Sequence, residues 1–256
     1  VYVYDNTSVD ATAKRAAEAG AVVRFESIPG KGSVVRRMFA DVDADVYVMA
    51  DGDGTYDPAD APLLVKRLVE DNLDMVVGCR AGPTSRLGHA VGNRAFNHLY
   101  RWLFGTGFND IFSGYRVFSR RYVKSFPAVS TGFEIETEMS VHASQLRLPV
   151  AEVDVAFLAR PEGSASKLRT FSDGWRILRS MGTLLAGNRP LALFGSLAAA
   201  STVAALALGA PVVVDFARTG LVERLPSALL ATGLAVAGLL LAVLGLILDV
   251  VARGRV

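Results

Sequence analysis

The sequence predicts an α/β domain with a mostly parallel sheet, followed by an amphipathic helix at a membrane interface and two transmembrane helices. Over roughly the first 80 residues, short apolar runs alternate with helical stretches. This alternation indicates parallel strands with helices on both faces of the sheet. Two long uncharged segments lie near the C-terminal end, and a basic stretch with an aromatic residue precedes them.

The elements of the α/β domain can be followed in order along the chain. Strands are predicted at 1–4, 21–25, 46–50 and 74–78, and helices at 11–19, 33–40 and 59–71. Gly20 marks the end of the first helix, and Asp57-Pro58 marks the start of the third. Ligands of such sheets bind beyond the carboxyl ends of the strands. The charged residues that fall there are Asp5, Asp51, Asp53 and Arg80.

The turn Asp51-Gly-Asp-Gly54 directly follows the third predicted strand. Asp51 and Asp53 are two residues apart, so in an extended segment their side chains leave the same face. Two hard oxygen donors at a strand end suit Mg²⁺ or Mn²⁺ carrying a diphosphate. An ordinary polar turn is the alternative, because Asp and Gly are common turn residues. The position of this pair, level with Asp5 and Arg80, favours the metal site.

The C-terminal part of the chain has the composition of membrane spans. Hydrophobic residues make up 51% of the whole chain, and segments 191–214 and 226–248 contain no charged residue. Each exceeds the roughly 20 residues that cross a hydrocarbon core. Buried core helices are the alternative, which two such segments in succession disfavour. Their Gly- and Ala-rich faces would allow close helix packing and also a homo-oligomer.

The charges around these segments predict their orientation. Basic residues flank the pair of spans, namely Arg176, Arg179, Arg189, Arg253 and Arg255, whereas the charges of the connector cancel. The positive-inside tendency then places both ends in the cytoplasm, as a multi-pass protein of the cytoplasmic (inner) membrane. The single cysteine, Cys79, cannot form an internal disulfide, which fits a reducing compartment. With 27 Lys and Arg against 25 Asp and Glu, bulk charge predicts no nucleic-acid partner.

Two basic amphipathic helices with aromatic residues are predicted, at 86–104 and 169–185. Such helices can lie in a membrane interface or pack on a sheet. Both placements stay open for the first helix. The interface is favoured for the second because it continues into a membrane span. The predicted organisation is therefore an α/β domain at 1–168, an interfacial helix at 169–189 and a two-span region at 190–256.

Several short motifs occur in a set order along the chain. They are Asp5-Asn-Thr-Ser-Val-Asp10, Gly30-Lys-Gly32, Asp51-Gly-Asp53, Gly78-Cys-Arg80, Ser113-Gly-Tyr-Arg116 and Ser166-Lys-Leu168. In this order they resemble the family 2 glycosyltransferases, specifically the polyprenyl-phosphate glycosyltransferases typified by dolichol-phosphate mannose synthase. The resemblance covers about residues 1 to 185. It implies a GT-A-type nucleotide-sugar-binding domain that uses Mg²⁺ or Mn²⁺ and transfers one sugar, with inversion, from a nucleotide sugar to a polyprenyl phosphate lipid.

The resemblance also implies roles for the motif residues. Asp5 would read the nucleotide base, Lys31 would approach the nucleotide, and Asp51 with Asp53 would hold the metal and the donor diphosphate. The residues facing the acceptor or leaving phosphates would be Arg80, Arg94, Arg116 and Lys167, with Asp110 in the acceptor-side segment. Plainer interpretations stay open for two of these residues. Asp5 could cap its helix, and Lys31 could be a solvated turn residue.

Two departures from the family pattern affect these expectations. Thr55 stands where many dolichol-phosphate mannose synthases have a Gln that contacts the metal, which favours a UDP-sugar over GDP-mannose as donor. The family's first strand and helix are absent, so we expect an N-terminal strand to be missing from the sheet. The Pro29-Gly-Lys-Gly32 turn lacks the spacing of a Walker loop, which argues against an ATPase.

The choice of acceptor determines which residues the chemistry needs. An acceptor phosphate is already an anion, so catalysis can depend on positioning and on neutralising the departing diphosphate. A sugar hydroxyl would instead need a carboxylate base. The clustered candidates are Glu134, Glu136 and Glu138, for which a helix start is the favoured interpretation.

Two other functions are weighed against this one. A processive polysaccharide synthase of the same fold is disfavoured because Arg101-Trp102 lacks the Gln of that group's Gln-x-x-Arg-Trp motif. A non-catalytic membrane scaffold with a degenerate nucleotide fold is disfavoured because the acidic and basic motif residues are retained.

Overall fold

The computed structural model describes residues 1–81, 96–98, 100–101, 108–158, 175, 178–179, 182–183, 185–187 and 189–253. The chain divides into two compact units, Val1–Met181 and Gly182–Val256. The strands are β1 (Tyr2–Asp5), β2 (Val22–Phe25), β3 (Val46–Met49), β4 (Met75–Ala81), β5 (Arg116–Ser119) and β6 (Val150–Ala156). The helices are α1 (Thr12–Glu18), α2 (Lys31–Asp41), α3 (Ala61–Glu70), α4 (Arg120–Ser125), α5 (Ile135–Gln145), α6 (Pro190–Thr219) and α7 (Leu225–Arg253).

The strands form two sheets, and the larger one is mixed. β1 and β2 pair in parallel, while the larger sheet has the order β3-β5-β4-β6. β5 runs antiparallel to both of its neighbours, and β4 and β6 run parallel. The α/β class is confirmed, but the expectation of a mostly parallel sheet is corrected. The cause is the short strand β5, which alternation with helices did not predict.

The register of β5 positions the loop that precedes it. Arg116, the first residue of β5, lies opposite Met49 of β3 and Val77 of β4. Because β5 runs in the opposite direction to these neighbours, its amino end lies towards their carboxyl ends. The loop before Arg116 therefore arrives at the sheet edge where the aspartates of the third strand lie.

The smaller sheet is tied to the rest of the unit through Asp41 at the end of α2. Its carboxylate accepts hydrogen bonds from Tyr4 Oη (3.1 Å) and Arg37 Nε (2.8 Å), and it pairs with Arg24 Nη1 (2.9 Å). Among the described residues, no strand joins β1 to the β3 edge of the larger sheet. The expected additional N-terminal strand stays a prediction.

One face of the larger sheet is covered by α3. A 3₁₀ turn at Pro58–Asp60 precedes α3; Asp57 caps this turn by accepting a hydrogen bond from Ala59 N (2.9 Å), with Pro58 in the favourable first position. Leu64 and Leu68, one turn apart on the helix, are buried against strand residues. The other members of this core are Tyr56, Val76, Tyr115, Val117 and Val155. The packing of the apolar face of α3 against the sheet thus holds the strands, and therefore their ends, in position.

The helix α5 is buried along most of its length. All residues from Ile135 to Ala143 are buried, including the side chains of Glu136 and Glu138. Glu134 precedes the helix and the other two glutamates lie in its first turn, so the predicted helix start is confirmed. Buried carboxylates require partners, and these partners connect α5 to the sequence motifs described below.

The second unit is a pair of apolar helices. α6 and α7 are each long and apolar enough to cross a membrane, and only 17% and 11% of their most apolar stretches are buried. Low burial is unlike the core helix of a soluble domain. The two helices contact each other through small residues: Ser201 Oγ donates to Leu234 O (2.8 Å), and Gly238 faces Thr202. Two predicted elements, the helix at 86–104 and the interfacial helix at 169–189, lie largely outside the described residues.

Candidate active site

The turn after β3 holds the two predicted metal ligands in different surroundings. The carboxylate of Asp51 is about one-third exposed and its Oδ1 lies 2.5 Å from Lys31 Nζ. Asp53 Oδ1 accepts hydrogen bonds from the hydroxyl (2.5 Å) and the backbone N–H (3.2 Å) of Thr55. Thr55 is itself buried, so its two hydrogen bonds to Asp53 come from the protein side of the turn and orient the Asp53 carboxylate. This positioning role was not predicted for Thr55.

Lys31 lies at the first position of α2, and its ammonium pairs with two carboxylates. It contacts Asp51 and, more closely, Glu136 Oε1. A cation at a helix N-terminus is disfavoured by the helix dipole, and the two carboxylates offset that effect. Burial alone would lower the pKa of Lys31, but the charges of Glu136 and Asp51 outweigh it and raise the pKa. Lys31 is therefore a charged group inside the site, which excludes the solvated-turn interpretation.

Glu136 is the deepest member of this cluster. Its side chain is 5% exposed, and burial raises its pKa although Lys31 opposes the shift. Its second oxygen, Oε2, is buried and has no hydrogen-bond partner among the described residues. The sequence placed Glu136 at a helix start but gave no signal of its contact with Lys31, which lies 105 positions earlier in the chain.

The glycines around Lys31 are required by close backbone contacts. Gly32 N donates to Thr131 O (2.9 Å), and a Cβ on Gly32 would lie 2.7 Å from the carbonyl carbon of Ser130. Gly30 has φ +124°, in the region that favours glycine. The segment before α5 thus packs directly against the turn that carries Lys31. Any residue larger than glycine at position 30 or 32 would push the two segments apart.

The turn is also fastened on its other side by Asn6. Its side-chain amide donates to Glu26 O (2.8 Å) and Ile28 O (2.9 Å), and its Oδ1 accepts from Gly30 N (2.7 Å). Asn6 was not predicted to have a role beyond the motif it belongs to. It links the end of β1 to the Lys31 turn, so it positions this part of the site.

Asp5 ends β1 and its carboxylate points into a buried environment. The residue is 9% exposed, and its Oδ1 has no hydrogen-bond partner among the described residues. It does not cap α1, because α1 begins at Thr12 and Asp10 accepts from the Thr12 backbone N–H (3.0 Å). The helix-cap interpretation of Asp5 is therefore wrong.

Gly114 allows the loop before β5 to approach Asp51. A Cβ on Gly114 would lie 2.8 Å from Asp51 Cγ and closer still to Oδ2. The loop is held there because Gly114 N donates to Tyr56 Oη (3.1 Å) and Ser113 Oγ donates to Gly78 O (2.5 Å). The Ser-Gly-Tyr-Arg motif therefore contributes a bare backbone position that lets the Asp51 carboxylate lie against it.

Arg116 does not face the site. Its side chain is fully buried, and its guanidinium donates to Ser113 O (2.9 Å), Ile111 O (2.8 Å) and Ser140 Oγ (3.0 Å). The predicted phosphate contact and catalytic role of Arg116 do not fit this placement and are corrected. Its donors are taken up by the loop at 111–113 and by α5, so Arg116 holds these segments together.

Arg80, near the end of β4, forms an ion pair with Asp110. Its Nε and Nη2 donate to the two carboxylate oxygens at 2.7 and 2.6 Å, a bidentate pair. Burial opposes the charge of Arg80, but the contact with Asp110 raises its pKa. Glu152 on β6 fixes the same loop by accepting from the backbone N–H groups of Asn109 (2.7 Å) and Asp110 (3.1 Å).

An open cleft of about 460 Å³ adjoins this pair. It is lined by Cys79, Arg80, Asn109, Asp110, Glu152 and Asp154. Burial, reinforced by Glu152, raises the pKa of the Cys79 thiol, which favours the neutral thiol over the reactive thiolate. The two remaining predicted phosphate contacts, Arg94 and Lys167, lie outside the described residues.

The donor set fits a divalent ion that is only partly enclosed by protein. Among the described residues, no group of three or more His, Cys, Asp or Glu side chains could hold a metal by itself. Asp51 and Asp53 offer two carboxylates, and Mg²⁺ is commonly held by one or two carboxylates together with water and substrate phosphates. The Gly114 backbone packs closely against Asp51. The Asp51 side chain is still about one-third exposed, so its carboxylate lies at the open edge of the turn.

Several known proteins are similar to this chain in sequence. The sequence profile of glycosyl transferase family 2 matches residues 1–126. Glycosyltransferase AglJ of Haloferax volcanii is 37% identical over 222 residues, which span 84% of this chain and 73% of the relative. The low-salt glycan biosynthesis hexosyltransferase Agl6 of the same organism is 34% identical over 185 residues, 70% of this chain and 44% of the relative.

Solved structures show the same fold. Glucosyl-3-phosphoglycerate synthase from Mycobacterium tuberculosis, in complex with Mn²⁺, uridine-diphosphate-glucose and phosphoglyceric acid, aligns with a TM-score of 0.57. The alignment covers 73% of this chain and 67% of that chain at 24% identity. The likeness supports a GT-A-type fold for the N-terminal unit.

Proposed function

This chain belongs to glycosyl transferase family 2 and is a glycosyltransferase, and we propose that it moves one sugar from a nucleotide-diphosphate sugar to polyprenyl phosphate with inversion. The proposal rests on one observation: two features occur together in this chain. One is the buried charge cluster of Lys31, Asp51 and Glu136 at a strand end. The other is the pair of helices long and apolar enough to cross a membrane.

The donor is proposed to be a UDP-sugar, with GDP-mannose as the other candidate. The solved neighbour binds uridine-diphosphate-glucose together with Mn²⁺. Asp5 would read the base, because its buried Oδ1 has no protein partner among the described residues and can accept an N–H of the nucleobase. Thr55 stands where many dolichol-phosphate mannose synthases have a Gln that contacts the metal, and its hydroxyl instead donates to Asp53 Oδ1.

Asp51 and Asp53 would hold Mg²⁺ or Mn²⁺, which neutralises the departing nucleoside diphosphate when bound. In the transfer, the bond between the anomeric carbon and the diphosphate oxygen breaks while an acceptor phosphate oxygen bonds to the opposite face. The acceptor is an anion, so no carboxylate base is required. Lys31 supplies further positive charge near the diphosphate, and its contact with the buried Glu136 keeps that charge inside the site.

The acceptor phosphate is proposed to bind near Arg80. The bidentate contact with Asp110 fixes the plane of the guanidinium at the edge of the cleft, so Arg80 and Asp110 act together as a fixed dipolar group. Arg94 and Lys167 remain proposed phosphate contacts from the resemblance. Arg116 is assigned to the support of the loop rather than to the acceptor.

The chain is proposed to lie in the cytoplasmic membrane with its N-terminal unit on the cytoplasmic side. Basic residues flank the two spans, and in the connector Arg224 Nε pairs with Asp215 (3.4 Å), which leaves little net charge there. A polyprenyl phosphate in that leaflet would present its phosphate to the same side. The spans would hold the enzyme at the surface where the lipid phosphate is exposed, and they would allow self-association.

The test incubates membranes containing the full chain with radiolabelled UDP- and GDP-sugars, polyprenyl phosphate, and Mg²⁺ or Mn²⁺. The expected result is a labelled lipid that requires the metal and is abolished by Asp53→Ala. Asp71→Ala is the matched control, since Asp71 forms an exposed pair with Arg67 on α3 (3.0 Å) and should leave labelling unchanged.

Four outcomes would overturn the proposal. No labelled lipid from any donor would remove polyprenyl phosphate as acceptor. Label in a small water-soluble phosphate compound would assign a soluble acceptor instead, and label in long polymer would favour a processive synthase. Full labelling by the Asp53→Ala variant would remove the assigned metal site.

A further inference from the structure

The ammonium of Lys31 lies between two carboxylates that differ in burial. Its Nζ is 2.5 Å from Asp51 Oδ1 and closer to Glu136 Oε1. The Glu136 side chain is 5% exposed, against 34% for Asp51. The lysine is therefore anchored on the buried side and reaches outward to a residue at the open edge of the turn.

The contact with Asp51 has a consequence for any ion that this residue binds. Mg²⁺ coordinates a carboxylate oxygen at about 2.0–2.1 Å, so a metal ion on Asp51 would lie close to the ammonium of Lys31, which is 2.5 Å from Asp51 Oδ1. Two cations in such proximity repel each other strongly. A metal ion on Asp51 therefore weakens the contact between Asp51 and Lys31, and that contact in turn weakens metal binding.

Glu136 determines where the lysine can go. Its Oε2 has no hydrogen-bond partner among the described residues, so Lys31 is its neutralising contact. Removing one member of a buried ion pair is strongly unfavourable, which prevents the ammonium from turning out into solvent. A short movement that breaks the contact with Asp51 and keeps the contact with Glu136 is the displacement that this arrangement permits.

We propose that Lys31 is an internal counter-ion that occupies Asp51 before the metal binds, and that the divalent metal displaces it onto Glu136. The inference rests on the proposed function only in taking a divalent ion as the ligand of Asp51. Glu136 is in this scheme a positioning residue, because it acts through Lys31. The affinity for the metal is consequently set by a competition inside the protein as well as by the ligands themselves.

The test measures binding of Mn²⁺ alone to the purified full chain in detergent, by the electron paramagnetic resonance signal of free Mn²⁺. Lys31→Met removes the competitor, so the dissociation constant should fall by about tenfold, as expected for loss of one charge-assisted contact. Glu136→Gln leaves Lys31 with Asp51 as its remaining carboxylate, so binding should weaken by a similar factor.

The double variant Lys31→Met with Glu136→Gln separates direct competition from bulk charge. It removes one positive and one negative group, so the net charge of the site equals that of the unmodified chain. If Lys31 competes directly for Asp51, the double variant binds Mn²⁺ about tenfold more tightly than the unmodified chain. If its affinity equals that of the unmodified chain, the single-variant effects were long-range charge effects and the inference is refuted.

Controls address folding and site selectivity. Lys14→Met and Glu18→Gln change an exposed pair on α1 (3.8 Å) and should leave Mn²⁺ binding unchanged. If Lys31→Met alone lowers the unfolding temperature, the double variant still gives the answer, because replacing both members of a buried pair is far better tolerated than removing one.

The outcome is independent of the sugar-transfer assay, since no donor or acceptor is present. Labelled lipid with equal Mn²⁺ affinities in the unmodified chain and the double variant would refute this inference alone. Failure of every variant to bind Mn²⁺ would refute this inference alone, because the metal dependence of sugar transfer is tested separately with the donor phosphates present.

Discussion

Alanine at Gly114 should damage the site through a single methyl group. The new Cβ would lie 2.8 Å from Asp51 Cγ and closer still to Oδ2, whereas non-bonded carbon atoms prefer about 3.5–4.0 Å. The carboxylate must therefore retreat by about 0.7 Å or more. Metal sites tolerate deviations of only about 0.2 Å, and a misplacement of about 1 Å can cost about 10²-fold in rate. We expect kcat/KM to fall by about 10²-fold, or about 2.7 kcal/mol of transition-state stabilisation.

The fold should survive this change. Gly114 lies outside the left-handed backbone region, so alanine adds volume without backbone strain. Asp51 is partly exposed and can swing outward, which limits the loss in stability to about 1 kcal/mol. The assay compares initial rates of sugar transfer over a range of Mn²⁺ concentrations and the unfolding temperature in detergent. Gly233→Ala, with open space around its Cβ, controls for the substitution itself. Activity of Gly114→Ala within about threefold of the unmodified enzyme would refute the assigned contact.

Three further predictions follow from described contacts. Arg116→Met leaves buried acceptors at Ile111, Ser113 and Ser140 unpaired and should lower the free energy of unfolding by about 3 kcal/mol; an unchanged midpoint in urea would contradict this role. Thr55→Val removes the hydroxyl that orients Asp53 and should raise the metal concentration for half-maximal activity about tenfold, while Thr55→Ser should restore it. Three contacts, first the one with Arg37, lower the pKa of Asp41 from 3.8 to about 2; because the folded-state value is the lower one, the stabilisation is present above pH 3.8 and is lost as the pH falls towards 2. Asp41→Asn should therefore flatten the acid dependence of stability in that window, measured by denaturation at a series of pH values, and an unchanged slope would count against the cluster.

The strand ends were predictable from the sequence because they depend on local patterns. The apolar runs before Asp51 and Arg80 and the run that ends near Asp5 form β3, β4 and β1, with shifts of one to three residues at their limits, and Arg80 lies inside β4. Turn chemistry and helical periodicity act within about 15 residues, so they can be read without tertiary information. The two apolar C-terminal segments were predicted for the same reason, since only length and composition are needed.

The residues that the sequence missed are those whose role depends on a distant partner. β5 (Arg116–Ser119) pairs with β3 and β4, which lie far from it in the sequence, and a local pattern does not contain such pairing, so its antiparallel entry was not predicted. Gly114 and Glu136 act through contacts with Asp51 and Lys31, which a linear pattern does not contain. Arg116 was misassigned because an arginine that binds phosphate and one that donates to buried carbonyl groups look the same in a sequence.

The long separation between Lys31 and Glu136 also bears on how the chain is made. At about 5–20 residues per second, Lys31 leaves the ribosome roughly 5–20 s before Glu136, since 105 positions separate them. Asp51 follows Lys31 much sooner, so the nascent chain can form the outer ion pair long before the inner one. Prematurely terminated or split versions that end near residue 126 would carry most of the motifs named above yet lack Glu136, the buried carboxylate that pairs with Lys31. The motifs that such fragments retain are therefore no evidence that the fragments fold or are active.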